Sequence, residues 1–468
     1  MVKEKFYITT AIDYVNAKPH VGHAFEKCLA DAIARWQKLK GKEVFFLTGV
    51  DENAQKNFQA AEEAGVPIKE FIDKNTGSFL ELCKKLNISY NDFIRTTAKK
   101  HSLVVHKILK KIIKKRDIYK GKYEGYYCNG CEAFITEKDL VDGKCPEHNK
   151  EPEHRKEEAY FFKLSKYQDK LLEIIPKYVI PESRKNEVLN RVKEGLNDIC
   201  ISRKGASLGI DFPDDKNFKV YVWIDALINY ISGLKDKEEK YWPADLHVIG
   251  KGINWFHSVI WPAILLSAGY KLPKRLLVHG YLTLGGGKIS KTLGNVIDPI
   301  QLADKYGSDG VRYSLLKSSV FEDSDFSEKA LIERHNNELA DKLGNLVSRV
   351  STLAEKYGIE KCNNKLIKQL QEKAIEDYME NYELDKTLAL IFTFIDNCNE
   401  YIQGKKPWET HDKRVLYELV EGIRKIGELL SPFIPETSEK IIKTFKTDKI
   451  KKSEILFKKI RTEQNNKK

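Results

Sequence analysis

Residues 5–35 read KFYITTAIDYVNAKPHVGHAFEKCLADAIAR, and this stretch decides the fold class. Its apolar, β-prone start predicts a strand over residues 6–12, and a helical pattern begins near His20. A strand, a tight loop and a helix start present backbone N–H groups and a positive dipole end to a phosphate. His20 and His23 are expected to share one helix face. Taken alone, the pattern fits a nucleotide site and a helix start that merely holds two histidines equally well.

The chain beyond this stretch continues as a βαβ unit. A helix is predicted over residues 23–40, and a second strand over 44–50 ends just before Asp51. Strands that alternate with helices predict a parallel sheet, whose ligands collect at the carboxyl ends of its strands. Asp51 and the loop after Ala11 are therefore expected to line one crevice. Three further β-like runs are expected to extend the same sheet, at residues 219–224, 246–250 and 276–281.

The composition indicates an ordered, multidomain protein with a polyanionic partner. With 468 residues, of which 41% are hydrophobic, the chain exceeds the size of a single domain. A formal net charge of +12 favours nucleic acid as the partner, although a lysine-rich proteome produces the same excess. The sequence has neither an apolar run of membrane-spanning length nor a signal-peptide pattern, so we expect a cytoplasmic protein without membrane contact.

A metal site is predicted within residues 117–200, a segment that interrupts the α/β pattern. Eight cysteines in so long a chain do not suggest a disulfide scaffold. Three of them form two short pairs with a histidine, CNGC and CPEH, which supply Cys128, Cys131, Cys145 and His148. Three thiolates and one imidazole make a closed tetrahedral site, so we expect one structural Zn²⁺ per chain.

A second candidate catalytic element is the loop GGGKISKT, residues 285–292. Its glycines permit a mobile backbone, and Lys288 and Lys291 can neutralise phosphate oxygens as charge develops. The spacing is not that of a P-loop, and by itself a glycine-lysine loop is weak evidence.

From Ser327 onward the strand pattern stops. Ser327 is a plausible N-cap, and apolar residues at helical spacing run from Leu339 to Leu353, before Gly358. Three or four further helical patterns follow. The sequence thus predicts an α/β, Rossmann-type parallel-sheet catalytic domain with a zinc-knuckle insertion, followed by an all-α helical bundle. Its expected segments are 1–116, the first half of the catalytic domain; 117–200, the insertion; 201–326, the second half; and 327–468, the helical bundle.

These motifs together resemble a known enzyme class. HVGH is similar to the HIGH signature of class I aminoacyl-tRNA synthetases, and KISKT is similar to their KMSKS signature. Within that class the chain resembles the methionyl-tRNA synthetase family from about residue 5 to residue 457. The stretches that carry the likeness, in order, are FFLTGVDEN (45–53), CNGCEAFITEKDL (128–140), CPEH (145–148), EEAYFFKLSKY (157–167), YVWIDALINY (221–230), HVIGKGINWFHSVIWPA (247–263), VHGYLTLGGGKISKTLGN (278–295) and KKPWE (405–409).

The resemblance implies a role for each matching position. ATP is expected to be bound with Mg²⁺ by His20, Gly22, His23, Lys288 and Lys291, where the histidines and lysines are catalytic. The resemblance implies a methionine pocket made of Ala11, Ile12, Tyr14, Asp51, Trp223, Ala226, Tyr230, Ile253 and His257. It also implies that the anticodon of tRNA(Met) is read by Asn345, Arg349 and Trp408. Without the resemblance, Asn345 and Arg349 are ordinary helix neighbours, and Trp408 equally fits a core anchor.

Three positions depart from the family pattern. Ile289 replaces the usual methionine of the lysine loop, a mild change between apolar residues. Gly252 stands where relatives usually carry an acidic residue, so one contact is missing or supplied elsewhere. Asn53 stands where many relatives carry histidine, and the sequence does not predict the effect.

The resemblance implies a methionine–tRNA ligase that forms methionyl-adenylate from L-methionine and ATP and then charges tRNA(Met). Two alternatives are another class I synthetase, such as a cysteinyl enzyme, and a catalytically silent tRNA-binding paralogue. Residues 117–200 leave no room for a large editing insertion, and both histidines and both lysines are retained. Many relatives dimerise through an appended C-terminal domain, and because this chain stops soon after the helical bundle we expect a monomer.

Overall fold

A computed structural model describes residues 3–128, 133–135, 137, 140–146, 149–204, 208–288 and 297–461. The chain forms two compact units. The first comprises Met1–Lys18, Gly41–Leu80 and Tyr90–His279, and the second comprises Pro19–Lys40, Glu81–Ser89 and Gly280–Lys468. Among the described residues, no helix has the length and apolar character needed to cross a membrane. The four segments predicted from the sequence stay a prediction.

The strands are short except in the central sheet and the insertion. In chain order they are β1 (Lys5–Tyr14), β2 (Glu43–Asp51), β3 (Asp92–Arg95), β4 (Ile118–Cys128), β5 (Ala133–Ile135), β6 (Glu153–Phe162), β7 (Val179–Ile180), β8 (Ile199–Cys200), β9 (Ser202–Lys204), β10 (Asp211–Phe212), β11 (Asp215–Val220), β12 (Leu246–Gly250), β13 (Leu276–His279), β14 (Leu282–Leu284), β15 (Gly287–Lys288) and β16 (Ser324–Asp325).

The α-helices occur along the whole described chain, and after β16 they follow one another without intervening strands. In chain order they are α1 (Val21–Leu39), α2 (Gln55–Glu63), α3 (Ile68–Lys85), α4 (Lys99–Lys114), α5 (Gln168–Tyr178), α6 (Glu182–Lys193), α7 (Val222–Leu227), α8 (Asn229–Ser232), α9 (Glu238–Tyr241), α10 (Trp261–Ala268), α11 (Pro299–Tyr306), α12 (Ser308–Leu316), α13 (Glu328–Arg334), α14 (Asn345–Tyr357), α15 (Glu372–Glu380), α16 (Leu384–Lys405), α17 (Pro407–Thr410), α18 (Lys413–Leu430) and α19 (Pro435–Thr444).

A six-stranded parallel sheet forms the core of the first unit, in the order β3-β2-β1-β12-β13-β7. The order reverses between β1 and β12, which is the switch point where ligands bind in such sheets, outside the carboxyl ends of the strands. β2 is buried on both faces because helices cover parallel sheets. Gly49 is required there, because a Cβ would lie 2.2 Å from the Ile94 carbonyl oxygen of β3. The predicted Rossmann-type sheet is therefore confirmed.

One predicted strand of this sheet is wrong. Residues 219–224 divide between β11 and the start of α7, and β11 pairs antiparallel with β9 and β10 in a separate small sheet. A short apolar run does not distinguish a strand from a buried helix start, and here it contains both. The runs at 246–250 and 276–281 do form β12 and β13 of the parallel sheet.

The segment predicted as an insertion contains an antiparallel sheet of its own, in the order β5-β4-β6-β8. β4 and β6 pair over ten residues, from Ile118 opposite Phe162 to Tyr127 opposite Glu153. One stretch of the same segment returns to the parallel sheet, because β7 pairs with β13 at its edge. The sequence did not predict this edge strand.

The second unit is mainly helical. Ser327 caps α13 as predicted, since its hydroxyl accepts from the Ala330 N–H at 3.2 Å. A π-helical stretch over His335–Gly344 joins α13 to α14, and Gly358 follows α14 with φ +74°. The described residues after Asp325 contain no strand, in agreement with the predicted helical bundle.

Arg312 holds several segments of the second unit together. Its guanidinium is fully buried and donates to the carbonyls of Leu86, Pro432 and Phe433 at 2.8–3.0 Å. It also lies 2.8 Å from the carboxylate of Asp31 in α1. A buried charge is stable only when its hydrogen bonds are satisfied, so this arginine fixes α1 against its neighbours within the unit.

Candidate active site

Asp51 ends β2 and is 2% exposed, at the carboxyl edge of the parallel sheet. Its Oδ1 accepts from the Asn53 backbone N–H at 3.1 Å and from the Thr96 hydroxyl at 3.3 Å. Tyr14 is its partner in the β1–β2 ladder. The register of this ladder shifts between Thr9 and Ile12, so a bulge changes the course of β1 at Ala11, beside the switch point. The expected association of Asp51 with the end of β1 is thus observed.

Aromatic rings extend from the end of β1 across α7. The Tyr14 and Trp223 rings meet edge to face with centroids 6.3 Å apart, and Trp223 stacks on Phe256 at 3.8 Å. The ammonium of Lys56 lies 3.7 Å from the Tyr14 ring centroid. Phe256 was not among the predicted pocket residues, although it directly precedes His257 in the sequence.

Tyr230 and His257 form a buried hydrogen-bonded pair. The hydroxyl lies 2.7 Å from His257 Nε2, and His257 Nδ1 lies 3.0 Å from the Ile253 carbonyl oxygen. Because a carbonyl only accepts, Nδ1 carries a proton, and in the neutral imidazole Nε2 accepts from Tyr230. This geometry connects three of the predicted methionine residues. Ala226 lies on α7, one turn beyond Trp223.

His247 of β12 packs against the Tyr230 ring of this pair and was not among the predicted site residues. Its ring lies 4.3 Å from that of Tyr230 and is hydrogen-bonded to Thr9 at 2.7 Å and to the Trp261 N–H at 3.3 Å. Burial, aided by nearby His257, holds the pKa of His247 well below its usual range, so the imidazole is neutral. No sequence signal separates this histidine from any other buried strand residue.

In the second unit, the HVGH signature forms the N-terminus of α1. His20 is the N-cap and accepts the Gly22 N–H at Nδ1, while Nδ1 of His23 accepts the His20 N–H, at 3.1 and 3.0 Å. The rings lie 3.8 Å apart, which confirms that the two histidines share a face. Since each Nδ1 is an acceptor, each neutral ring carries its proton on Nε2 as a donor. A Cβ at Gly22 would lie 2.9 Å from the His20 ring, so glycine is needed there for the cap itself.

The lysine loop is described only in part. The backbone of Lys288 lies in β15, paired with Thr283 of β14, after a turn in which Gly285 and Gly286 have positive φ. Lys291 and Ile289 lie outside the described residues. Gly252 occupies an exposed 3₁₀ turn after β12.

Two of the four predicted zinc ligands are described. Cys128 ends β4 and Cys145 begins a tight turn, with exposures of 2% and 1%. The Cys145 carbonyl accepts from the Asn149 N–H at 2.8 Å, and the Cys145 N–H donates to the Lys150 carbonyl at 2.9 Å. Cys131 and His148 lie outside the described residues, and within the described ranges no cluster of three or more His, Cys, Asp or Glu side chains suits a metal.

The three predicted anticodon residues are exposed. Asn345 and Arg349 lie one turn apart on α14, and Trp408 on α17 is 38% exposed. Trp408 is therefore not a core anchor, which removes the alternative that the sequence left open.

Comparisons with known proteins agree with the motifs. A family model for class I tRNA synthetases (M) matches residues 6–151 and 147–351, and one for the anticodon-binding domain of tRNA ligases matches 364–467. Methionine–tRNA ligase of Caldanaerobacter subterraneus subsp. tengcongensis is 45% identical over 94% of this chain and 74% of its own length. The enzyme of Thermotoga maritima is 42% identical over 94% and 75%. The chain belongs to the methionyl-tRNA synthetase family.

A solved member of the methionyl-tRNA synthetase family has the same fold. Mycobacterium tuberculosis methionyl-tRNA synthetase in complex with methionyl-adenylate superposes with a TM-score of 0.90 at 36% identity, covering 94% of both chains. Its apo form gives a TM-score of 0.84 at 32% identity. The match extends over both units of the present chain, so the Rossmann-type sheet and the helical C-terminal region are family features.

Proposed function

We propose that this chain is a methionine–tRNA ligase, which activates L-methionine with ATP and transfers it to tRNA(Met) for translation. The observation that carries the proposal is the 94% mutual coverage with a synthetase solved in complex with methionyl-adenylate. The buried aromatic and histidine side chains at the edge of the parallel sheet support it from this chain's own residues.

Methionine is assigned to the first unit. Asp51 pairs with its ammonium group, assisted by the backbone at Ala11 and Ile12, because a nearly buried carboxylate favours a cationic partner. Tyr14, Trp223 and Ala226 supply apolar and aromatic surface, which suits a polarizable thioether. The remaining pocket residues, Tyr230, Ile253 and His257, set the polarity at the sulfur through the hydrogen bonds that orient the imidazole.

ATP is assigned to the signatures of the second unit and enters as its magnesium complex. His20 and His23 carry Nε2–H donors in the neutral tautomer that the α1 cap selects. Gly22 leaves room for the adenine, while Lys288 and Lys291 neutralise the phosphates. Donors fixed before the reaction stabilise charge that develops in the transition state without a reorganisation cost.

The reaction needs no enzyme nucleophile. A methionine carboxylate oxygen attacks the α-phosphorus, the bond to the bridging oxygen breaks and pyrophosphate leaves with that electron pair. The terminal ribose hydroxyl of tRNA then attacks the carbonyl carbon of methionyl-adenylate and AMP leaves. Catalysis consists of positioning and electrostatic stabilisation of the phosphoryl oxygens.

The helical region is assigned to the tRNA anticodon. Asn345 and Arg349 lie on one exposed face of α14, and Trp408 offers an exposed ring. Splayed bases of RNA loops are recognised by stacking on aromatic side chains and by hydrogen bonds to their edges. Trp408→Ala is expected to raise the KM for tRNA and leave ATP–pyrophosphate exchange unchanged, because exchange does not require tRNA.

A structural zinc ion is assigned to Cys128, Cys131, Cys145 and His148. The two described thiols, of Cys128 and Cys145, are buried, and a set of three thiolates and one imidazole suits a tetrahedral structural zinc site. When bound, the metal cross-links the insertion and supplies no chemistry to the reaction. Cys145→Ser is expected to lower zinc content measured by atomic emission, while Cys362→Ser, a control in the second unit, leaves it at one per chain.

Methionine-dependent ATP–pyrophosphate exchange tests the enzymatic proposal. Exchange with another amino acid but not with methionine would identify a different class I synthetase. Loss of all exchange would identify a catalytically silent paralogue. The protein is expected to act in the cytoplasm, with its tRNA, as a monomer, and a dimer mass in light scattering would contradict the last point.

A further inference from the structure

Asn53, the residue that departs from the family pattern beside Asp51, connects two carboxylates. Its backbone N–H donates to Asp51 Oδ1 at 3.1 Å. Its side-chain amide donates to Asp225 Oδ2 at 2.7 Å and to the Thr96 carbonyl at 3.2 Å. Both N–H bonds of the amide are thereby used, and one residue links the site carboxylate at the end of β2 to a second carboxylate on α7.

Asp225 is itself anchored in the interior. Its Oδ1 lies 2.5 Å from His101 Nε2 on α4, and His101 Nδ1 lies 2.6 Å from the Ser232 hydroxyl on α8. The three residues of this anchor are between 1% and 3% exposed. Because burying a carboxylate is costly unless its hydrogen bonds are satisfied, the anchor tolerates little displacement of any member. The proposed reaction uses neither Asp225 nor His101.

We propose that Asn53 is a positioning residue: the buried Asp225–His101 pair holds its side-chain amide, and its backbone N–H thereby fixes the Asp51 carboxylate for the methionine ammonium group. The inference rests on the proposed function, in which Asp51 binds that group. Asp51 stands at the very end of β2, where the sheet ladder no longer restrains the following residues. Thr96 and Asn57 already hydrogen-bond to Glu52 and Asp51 at this strand end. The Asp225 contact adds a restraint from a different element, since α7 is more than 160 residues away in sequence.

The choice of a neutral donor follows from the charges on either side. Two carboxylates flank Asn53, so an acidic side chain there would repel both, whereas an amide or imidazole N–H donates to Asp225. We therefore expect histidine to be able to function in place of asparagine at this position. A residue of the same shape that lacks a hydrogen-bond donor is not expected to do so.

The test compares Asn53→Leu, which keeps the branched shape and removes the donor, with Asn53→His, which retains one. Asn75→Leu is the matched control, because it removes a buried amide that, like the amide of Asn53, donates to a backbone carbonyl, here that of Val15 at 2.7 Å. KM for methionine and for ATP are measured separately by ATP–pyrophosphate exchange. If Asn53→Leu does not fold, Asn53→Ser, too short to reach Asp225, takes its place.

We expect Asn53→Leu to raise the methionine KM about tenfold or more, the effect of losing one hydrogen bond to a charged group, with little change in the ATP KM. Asn53→His should recover most of the loss. A purely structural role would instead lower kcat as active protein is lost and leave both KM values unchanged. Equal methionine KM values for Asn53→Leu and Asn75→Leu would overturn the inference.

A double variant shows whether Asn53 acts through Asp51. Asp51→Asn combined with Asn53→Leu is expected to raise the methionine KM no further than Asp51→Asn alone, and independent, additive effects would contradict the proposal. If Asp51→Asn raises the methionine KM and Asn53→Leu does not, the inference about Asn53 is wrong and the proposed function stands. If the wild-type chain shows no exchange with methionine, both are overturned.

Discussion

His23 combines two roles that a pair of substitutions can separate. Its Nδ1 accepts the His20 N–H as part of a capping box at the start of α1, and its Nε2–H is the proposed donor to the α-phosphate. His23→Ala removes both. His23→Gln retains an acceptor at the third helical position, where glutamine is the usual capping-box residue, and removes the imidazole.

The two losses have different sizes. A lost capping interaction costs about 0.5–2 kcal/mol of stability, or roughly 1–8 °C in Tm for a unit of this size. A lost donor to the transition state lowers kcat by about 10²–10³-fold. His23→Ala should therefore show both effects, whereas His23→Gln should melt like the wild-type chain and still be slow.

Two assays measure these quantities. Differential scanning fluorimetry gives Tm, and single-turnover formation of methionyl-adenylate gives the rate of chemistry without tRNA. Zinc content serves as the control and should stay constant, since the zinc ligands lie in another unit. Recovery of the rate together with Tm in His23→Gln would refute the reasoning, because His23 would then act only as a helix cap.

Three further predictions follow from buried contacts. Arg312→Lys should lower Tm by roughly 6–12 °C, because one ammonium cannot replace a guanidinium that donates to three carbonyls and pairs with a carboxylate. The control Arg414→Lys, at an exposed ion pair, should shift Tm by less than about 4 °C. Equal shifts of Tm for the two variants in calorimetry would contradict this prediction. Burial raises the pKa of Asp31, but Arg312 and other donors outweigh burial and hold the pKa below its usual value in the folded protein. The stabilisation that the charged Asp31 contributes is therefore complete above about pH 4, and it is lost as the pH falls through the pKa of the folded state. Arg312→Met should weaken this acid dependence when unfolding is measured between about pH 2 and 6. Tyr230→Phe should raise the methionine KM about tenfold and leave the ATP KM unchanged in exchange assays, because His257 loses a buried hydrogen-bond donor. An unchanged methionine KM would show that the Tyr230–His257 pair has no part in methionine recognition.

Local sequence patterns predicted the elements that carry the signatures. β1, α1 and β2 lie within a few residues of their predicted positions, because alternation, capping and a buried apolar run are properties of neighbouring residues. The strand predicted at residues 219–224 was wrong because that prediction also used only neighbouring residues. Its apolar run is compatible with a strand and with a helix start, and only pairing with β9 and β10 selects the boundary between them.

The sequence by itself determined the family, the Rossmann-type sheet and the identity of the signature residues, since motif types and their order are written along the chain. The tertiary structure decided what supports them. His247 beneath Tyr230, Asn53 on Asp225 and Arg312 on Asp31 are contacts between residues far apart in sequence. Such contacts leave no periodic or local signal, because a buried polar group is satisfied by whichever element folding brings within about 3 Å.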